Sequence, residues 1–231
     1  MGYFIFDFNN QSLKEDEIHH IKDVLRLKPE SLLQAIDGSG NLYTLKIKSL
    51  KPFQTEIIEH QVMPKPKIAL RCIIATIKIP LLELIIQKLT EIGVDEIIIT
   101  KTNFAQISLD KLDSKLNRWQ TISQTACKQA EIAYFPQITI QNLDRIEYID
   151  DELKLIGDTQ YSPEAKGILE IDYNNIDKIS LLIGPEGGFE FSEYQNLINK
   201  NNYMPVKFGE NILRAETAAI VGAGIIKAIN L

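Results

Sequence analysis

Residues 181–195 read LLIGPEGGFEFSEYQ, and residues 208–219 echo them as FGENILRAETAA. The first stretch opens as an apolar strand over residues 179–183 and runs into Gly184-Pro185-Glu186-Gly187-Gly188. Glycine admits positive φ and lets a ligand approach main-chain N–H and C=O groups, while proline stiffens a turn. Open α/β sheets hold ligands at the carboxyl ends of their strands, so this is a candidate ligand loop. The plain alternative is a tight turn that binds nothing. A phosphate-cradling loop needs Lys-Ser/Thr after its last glycine, but Phe189-Glu190 follow Gly188. A dinucleotide fingerprint needs G-x-G-x-x-G, whereas the order here is G-P-E-G-G, and Glu186 would repel a pyrophosphate.

Outward from this centre the pattern alternates strand with helix. Residues 68–77 form an apolar, β-branched run. Pro80 suits a first helical position, and Leu82, Ile85, Ile86, Leu89 and Ile92 recur at helical spacing until Gly93. Further strands are expected at residues 95–100, 137–140, 153–157 and 203–208. A helix is expected over 111–130, with Leu112, Leu116, Trp119, Ile122 and Ala126 facing inward and Trp119 in the core rather than stacked on a base. Ser192 and Gln195 form a capping box for a helix to about residue 199, and residues 216–230 form the last helix. Such alternation implies a mostly parallel sheet with helices on both faces. The last helix carries Ala218, Ala219, Gly222, Ala223 and Gly224. Glycine costs a helix about 1 kcal/mol relative to alanine, so close packing must offset it, within the sheet layer or across a dimer interface.

Residues 63–67, MPKPK, place two prolines in four residues and mark a boundary. Before it, YFIFDF, LLQAIDGSGNLYTLKIKSL and FQTEIIEHQV read as short strands, with Asp37-Gly38-Ser39-Gly40 as a hairpin turn. One short helix is expected between them, beginning near Ser12 or Lys14 and carrying His19 to Val24. The whole reads as a small β-barrel-like domain. In HHIKDVLRLKPES, the cations His19, His20, Lys22, Arg26 and Lys28 lie beside Val24, Leu25 and Leu27, which suits contact with an RNA backbone. A solvated rim with one core-facing histidine is the alternative.

At 231 residues, 45% hydrophobic and 24% charged, the chain can bury one large core or two modest ones. Its two cysteines, Cys72 and Cys127, lack the spacing of a disulfide framework or a zinc site and fit a reducing compartment. No apolar run approaches a membrane span and MGYFIFDF lacks signal-peptide features, so a cytoplasmic location is expected. The net charge of -6 argues against a nucleic-acid partner, but it is unevenly spread. Residues 1–67 balance nine basic against nine acidic side chains and hold all three histidines, so the whole deficit falls on the remainder.

The larger domain has no histidine, which excludes a histidine-based triad or a histidine metal cluster there. Near the two loops stand Glu186, Glu190, Glu210, Arg214, Glu216 and Thr217 on a glycine-rich backbone. That set suits a reaction in which orientation does most of the work and a cosubstrate supplies the reactive group. Arg214 opposes the dipole of the helix it precedes, leaving a functional role or a surface ion pair.

At these residues the chain resembles the RsmE type of SPOUT methyltransferases, which methylate N3 of a uridine in 16S ribosomal RNA. The resemblance rests on HHIKDVLRLKPES (19–31), LIIQKLTEIGVDEI (84–97), Arg118-Trp119, LLIGPEGGFEFSE (181–193) and FGENILRAETAA (208–219), in that order. It implies a PUA-like barrel over residues 1–66 that helps hold RNA. Over residues 67–231 it implies an α/β methyltransferase domain with a carboxyl-terminal trefoil knot, acting as a homodimer on the small ribosomal subunit. S-adenosylmethionine would lie against Leu182, Ile183, Gly184, Pro185, Gly187 and Gly188, and against Phe208, Gly209, Asn211, Ile212 and Leu213. No metal is implied. Arg214 would polarise a uracil carbonyl, and Glu186 or Glu216 would position Arg214 or accept the N3 proton.

The chain also departs from the family. Asn103-Phe104-Ala105 stands where relatives tend to show Glu-Arg-Ser, and Gln129-Ala130-Glu131-Ile132 where they tend to show Gln-Ser-x-Arg. Two arginines are thereby missing, in keeping with the acidic balance. Two other readings follow: a methyltransferase with another RNA target, or a noncatalytic RNA-binding or ribosome-assembly module.

Overall fold

The computed structural model describes residues 2–8, 10, 12–105, 107–147, 152–157, 161–162 and 165–229. The chain divides into two compact units. One comprises Met1–Lys65 with Gln124–Phe135, the other Pro66–Ser123 with Pro136–Leu231.

The first unit is built on a five-stranded sheet of β1 (Phe4–Asp7), β2 (Ser12–Leu13), β3 (Leu32–Ile36), β4 (Asn41–Leu50) and β5 (Phe53–Val62), in the order β2-β1-β3-β4-β5. All pairings are antiparallel except β1 with β3. Period-two alternation sends Leu33, Ala35, Tyr43, Leu45 and Ile47 into one core with Phe4, Phe6 and Ile21. The expected helix is present in two parts: α1 (Glu15–His19), then a wider π-type turn over His20–Val24. Ser12 lies in β2, and Lys14 precedes α1.

The hairpin turn has a second task that sequence reasoning missed. Gly38 and Gly40 have φ of 82° and 100°, and Cβ atoms there would come within 2.2 Å of the Phe135 and Tyr134 rings respectively. Residues 134 and 135 thus pack on the turn because its two glycines carry no side chains. Backbone bonds from Phe135 N to Gly38 O (2.9 Å) and from Gly40 N to Ala133 O (3.0 Å) hold this segment in the first unit.

The second unit carries a seven-stranded sheet of β6 (Ala69–Ala75), β7 (Glu96–Thr100), β8 (Gln137–Ile140), β9 (Leu153–Gly157), β10 (Lys166–Gly167), β11 (Lys178–Ile183) and β12 (Met204–Lys207). The order is β10-β12-β9-β11-β6-β7-β8, and every registered pair is parallel. Strands buried on both sides explain the unbroken apolar runs. Leu70, Cys72 and Ile74 join a core with the helices α2 (Ile79–Ile92), α3 (Leu116–Ala130) and α5 (Ala215–Ile229). Ile73, Ile98, Ile156 and Leu182 face the opposite layer, closed by Tyr194 and Leu197 of α4 (Phe191–Asn199).

Local chemistry accounts for the helices. α2 takes Pro80 in its first turn, buries Leu82, Ile85, Ile86 and Leu89 completely, and ends at Gly93 in the left-handed conformation. Gly93 N to Thr90 O (2.9 Å) and Val94 N to Leu89 O (3.0 Å) close a Schellman motif. Two short 3-10 turns precede α3, which therefore starts at Leu116 rather than residue 111, and Trp119 is fully buried in the core. The helix expected from Ser192 starts at Phe191 behind an extended Glu190, without a capping box. Ser192 Oγ instead donates to the Glu190 carboxylate at 2.9 Å.

Candidate functional site

β6, β7 and β8 are laid down in one direction across the sheet, whereas β9, β11 and β12 are placed on the other side of β6. Open α/β sheets hold ligands at the carboxyl ends of their strands near such a reversal, and both glycine-rich loops leave β11 and β12 there. Gly157, the last residue of β9, pairs with Ile183 of β11 on one side and with Val206 of β12 on the other. The ends of three adjacent parallel strands are therefore level.

The ring of Phe208, just past β12, locks these ends together. A Cβ on Gly157 would lie 2.8 Å from Phe208 Cε2 and 2.9 Å from Ile183 Cδ1, and one on Gly222 of α5 would lie 2.9 Å from both Phe208 Cε1 and Leu181 Cδ2. Two glycines and an aromatic ring thus make one wedge. Gly157 was not among the residues singled out from sequence. Its signal was a strand ending in glycine beside the strand that enters the glycine loop.

In the first loop, Leu182, Ile183, Gly184 and Pro185 are buried, while Glu186 and Gly187 are exposed. A Cβ on Gly184 would meet the buried Phe189 ring at 2.8 Å, which is why that position has none. Gly188 N donates to Pro185 O at 2.9 Å, closing a tight turn that ends in Gly188 at φ 71°. In the second loop, Gly209, Asn211 and Ile212 are exposed, Phe208 and Leu213 are half-buried, and Gly209 has open space where a side chain would stand. Ile212 is 83% exposed.

Arg214 stands at the amino end of α5, where its carbonyl accepts Ala218 N at 2.8 Å. Its Nε lies 3.1 Å from Glu216 Oε1; the arginine side chain is 74% exposed and the glutamate 14%. Glu216 Oε2 is buried and has no hydrogen-bond partner among the described residues. Of the two carboxylates considered from sequence, it is therefore Glu216 that holds Arg214. Glu186 is exposed, and no ion pair to it occurs among the described residues.

Asn103, following β7, ties that strand to the first loop. Its side chain donates to Glu190 Oε2, and its backbone N–H donates to Glu193 Oε1 at 3.1 Å. Partial burial pushes the Glu193 carboxyl above its ordinary pKa. Phe104 packs on Gly187, whose Cβ position is 3.4 Å from Phe104 Cβ.

In the first unit, His19, His20, Arg26 and Lys28 are exposed and Lys22 is half-buried, with Ile21 as the core-facing member of the segment. Neither histidine points into the core. His19 Nδ1 meets Asp23 Oδ2 at 2.7 Å, and Lys22 Nζ lies 5.5 Å over the Phe53 ring. Arg26 adopts φ 53° and ends the π-type turn, with Leu27 N bonded to Ile21 O at 3.1 Å.

The all-parallel sheet, with glycine-lined strand ends in place of a phosphate loop, defines an α/β domain of the RNA methyltransferase class. Residues 64–227 match the RNA methyltransferase domain family and residues 13–58 the RNA methyltransferase PUA domain. Within that class the chain belongs to the small-subunit ribosomal RNA methyltransferase E family. It is 34% identical to Ribosomal RNA small subunit methyltransferase E of Mesomycoplasma hyopneumoniae, over 88% of this chain and 87% of that one. A probable rRNA-methyltransferase from Porphyromonas gingivalis superposes with a TM-score of 0.89 at 25% identity, covering 100% of this chain and 98% of the other. A putative methyltransferase from Legionella pneumophila, solved with the cofactor SAM bound, superposes with a TM-score of 0.81 at 26% identity, over 94% and 90%. Among the described residues no helix is long and apolar enough to cross a membrane, and no group of three or more His, Cys, Asp or Glu residues could hold a metal ion.

Proposed function

We propose that the chain is an S-adenosylmethionine-dependent methyltransferase that modifies N3 of a uridine in 16S ribosomal RNA. The observation that carries this reading is the level ending of β9, β11 and β12 around Phe208, which supports a pocket of apolar walls and bare backbone. Such a lining suits an adenosyl and methionyl ligand, which has no phosphate to neutralise. Residues 182–185, 187 and 188 form one side of it, and Phe208, Gly209, Asn211, Ile212 and Leu213 the other. When bound, S-adenosylmethionine supplies an electrophilic methyl group.

The protein's own residues do the rest. Arg214, exposed and free to point outward, donates to a uracil carbonyl flanking N3 and stabilises the negative charge that grows there as the N3 proton leaves. Glu216 orients Arg214 through Oε1, with its Oε2 buried away from the substrate, and the N3 proton passes to solvent. Glu186 is left as a loop-tip carboxylate facing the RNA. His19, His20, Lys22, Arg26 and Lys28 of the PUA-like unit, residues 1–66 completed by 124–135, contact phosphates. Residues 67–123 and 136–231 form the methyltransferase domain, with the chain knotted after β11. The protein acts in the cytoplasm as a homodimer on small-subunit RNA within the ribosomal particle.

Nucleoside mass spectrometry of small-subunit RNA after incubation with the protein and S-adenosylmethionine is the test. 3-Methyluridine is the expected product, on naked RNA or on assembled subunits. Its absence from both would sink the reading. Phe104 and Ala105, in place of the family's arginine and serine, favour one second reading, the same chemistry on a different RNA. That reading predicts a methylated nucleoside in another RNA fraction. Failure to bind S-adenosylmethionine in calorimetry would leave only an assembly module.

A further inference from the structure

A cavity of about 460 Å³ opens at the carboxyl ends of β7 and β8, against α4. It adjoins the first cosubstrate loop on the side away from β9: β7 is two strands from β11, about 10 Å at the usual spacing of about 4.8 Å, and α4 follows that loop. Four of its eleven lining residues are asparagines, Asn103, Asn142, Asn196 and Asn201, of which the Asn103 amide is bonded to Glu190, with Leu143 and Leu197 as apolar surface. Lys101, Asp144 and Glu193 also line the cavity, one cation against two carboxyl groups, so it does not favour a strong anion. Thr102, another lining residue, is only 2% exposed, yet its Oγ1 has no hydrogen-bond partner among the described residues. A buried hydroxyl left unpaired costs stability, and because this one is closed to solvent a ligand reaches it only when the lining opens.

Carboxamides present a donor and an acceptor side by side, the pattern that matches the edge of a nucleobase. Unpaired RNA bases are recognised in this way, splayed into pockets and bonded along their edges. Asn103 lines the cavity and also holds Glu190 and Glu193, while the next residue, Phe104, is 48% exposed and packs on Gly187. A strand leaving the cosubstrate loop would therefore meet an aromatic face before reaching the amides.

We infer that this cavity is a nucleobase subsite that takes an unpaired base of the substrate RNA other than the one methylated. The inference rests on the reading of the chain as an RNA methyltransferase. Its lining includes none of residues 182–188 or 208–216, which sets it apart from the proposed place of methyl transfer. Affinity for the RNA, not the chemical step, is what the subsite contributes.

The test joins steady-state methylation to crosslinking. In Asn196→Ala, which alters an exposed position of α4, the KM for RNA rises about tenfold, the loss expected for one or two base contacts, with kcat and S-adenosylmethionine affinity unchanged. Thr102→Val raises KM in the same direction without lowering Tm, because the hydroxyl it removes has no partner in the fold. Unchanged KM in both variants, or a fall in kcat or Tm that accounts for the loss, overturns the subsite. Small-subunit RNA substituted with 4-thiouridine and 6-thioguanosine is expected to crosslink to peptides spanning residues 101–104 or 192–201; adducts confined to other peptides also overturn it. If the wild-type protein methylates no RNA, the activity reading fails instead, and the crosslinks still decide what the cavity binds.

Discussion

Arg214 occupies a position that helix physics disfavours, since a cation at an amino terminus opposes the macrodipole. Glu216, in the first turn of the same helix, offsets this, and the pair leaves the guanidinium turned to solvent. An arginine needed only for an ion pair could sit at either end of a helix; one needed for an incoming carbonyl must sit beside the methyl donor, which the proposed function places at this loop. Arg214→Ala should therefore reduce methyl transfer about 100-fold or more, the scale of removing one donor to a developing oxyanion, while calorimetry finds S-adenosylmethionine binding intact. Unchanged turnover would reject the role. Glu216→Gln should lower turnover more than Glu186→Gln, because only Glu216 touches Arg214 among the described residues.

At the scale of elements, the two glycines of α5 make opposite predictions from the same residue type. Gly222 lies under Leu181 and Phe208, so Gly222→Ala forces the wedge apart and should lower both Tm and S-adenosylmethionine affinity. Gly224 has nothing within 4 Å of its Cβ position, so Gly224→Ala should stabilise by up to about 1 kcal/mol through helix propensity alone. A loss of stability in Gly224→Ala that depends on protein concentration would show a second copy covering that face. The β3–β4 hairpin has a pH signature. Burial pushes the Asp37 carboxyl upward, but donors from Ser39 (2.8 and 2.7 Å) and Asn41 (3.2 and 2.6 Å) more than offset this and hold its pKa below the usual range. A depressed carboxylate pKa stabilises the fold above the unfolded value of about 3.9, and that stability is lost as pH falls through the folded value. Asp37→Ala should cost roughly 1–3 kcal/mol at neutral pH, and in equilibrium unfolding the gap from wild type should narrow below about pH 4.

For the whole molecule, the acidic balance falls in the residues after 67, while the exposed candidate RNA-contacting cations, His19, His20, Arg26 and Lys28, lie in the first unit. Under the proposed function, exposed basic side chains of the first unit would meet the RNA backbone and the glycine-lined strand ends of the second would hold the methyl donor. Much of this architecture is legible in sequence because it is written in local terms. β-Branched runs, helical spacing, Pro80 and Gly93 each act within a few residues, and the strands at 137–140 and 153–157 coincide with their expected limits. Local signals misled where two of them competed: Ser192 looks like a helix cap, but its hydroxyl binds the Glu190 carboxylate. What no local pattern could decide is which strands become neighbours. The order that sets Gly157 between Ile183 and Val206, the ring of Phe208 packed on Gly157 and Gly222, and the return of residues 124–135 to the first unit all join segments far apart in sequence. The sequence by itself determined the elements and the glycine-rich loop that cannot hold a phosphate. Only the tertiary structure decided that Glu216, not Glu186, holds Arg214, and that three strand ends close around one aromatic ring, because such contacts depend on where the sheet places each strand and not on the residues beside it.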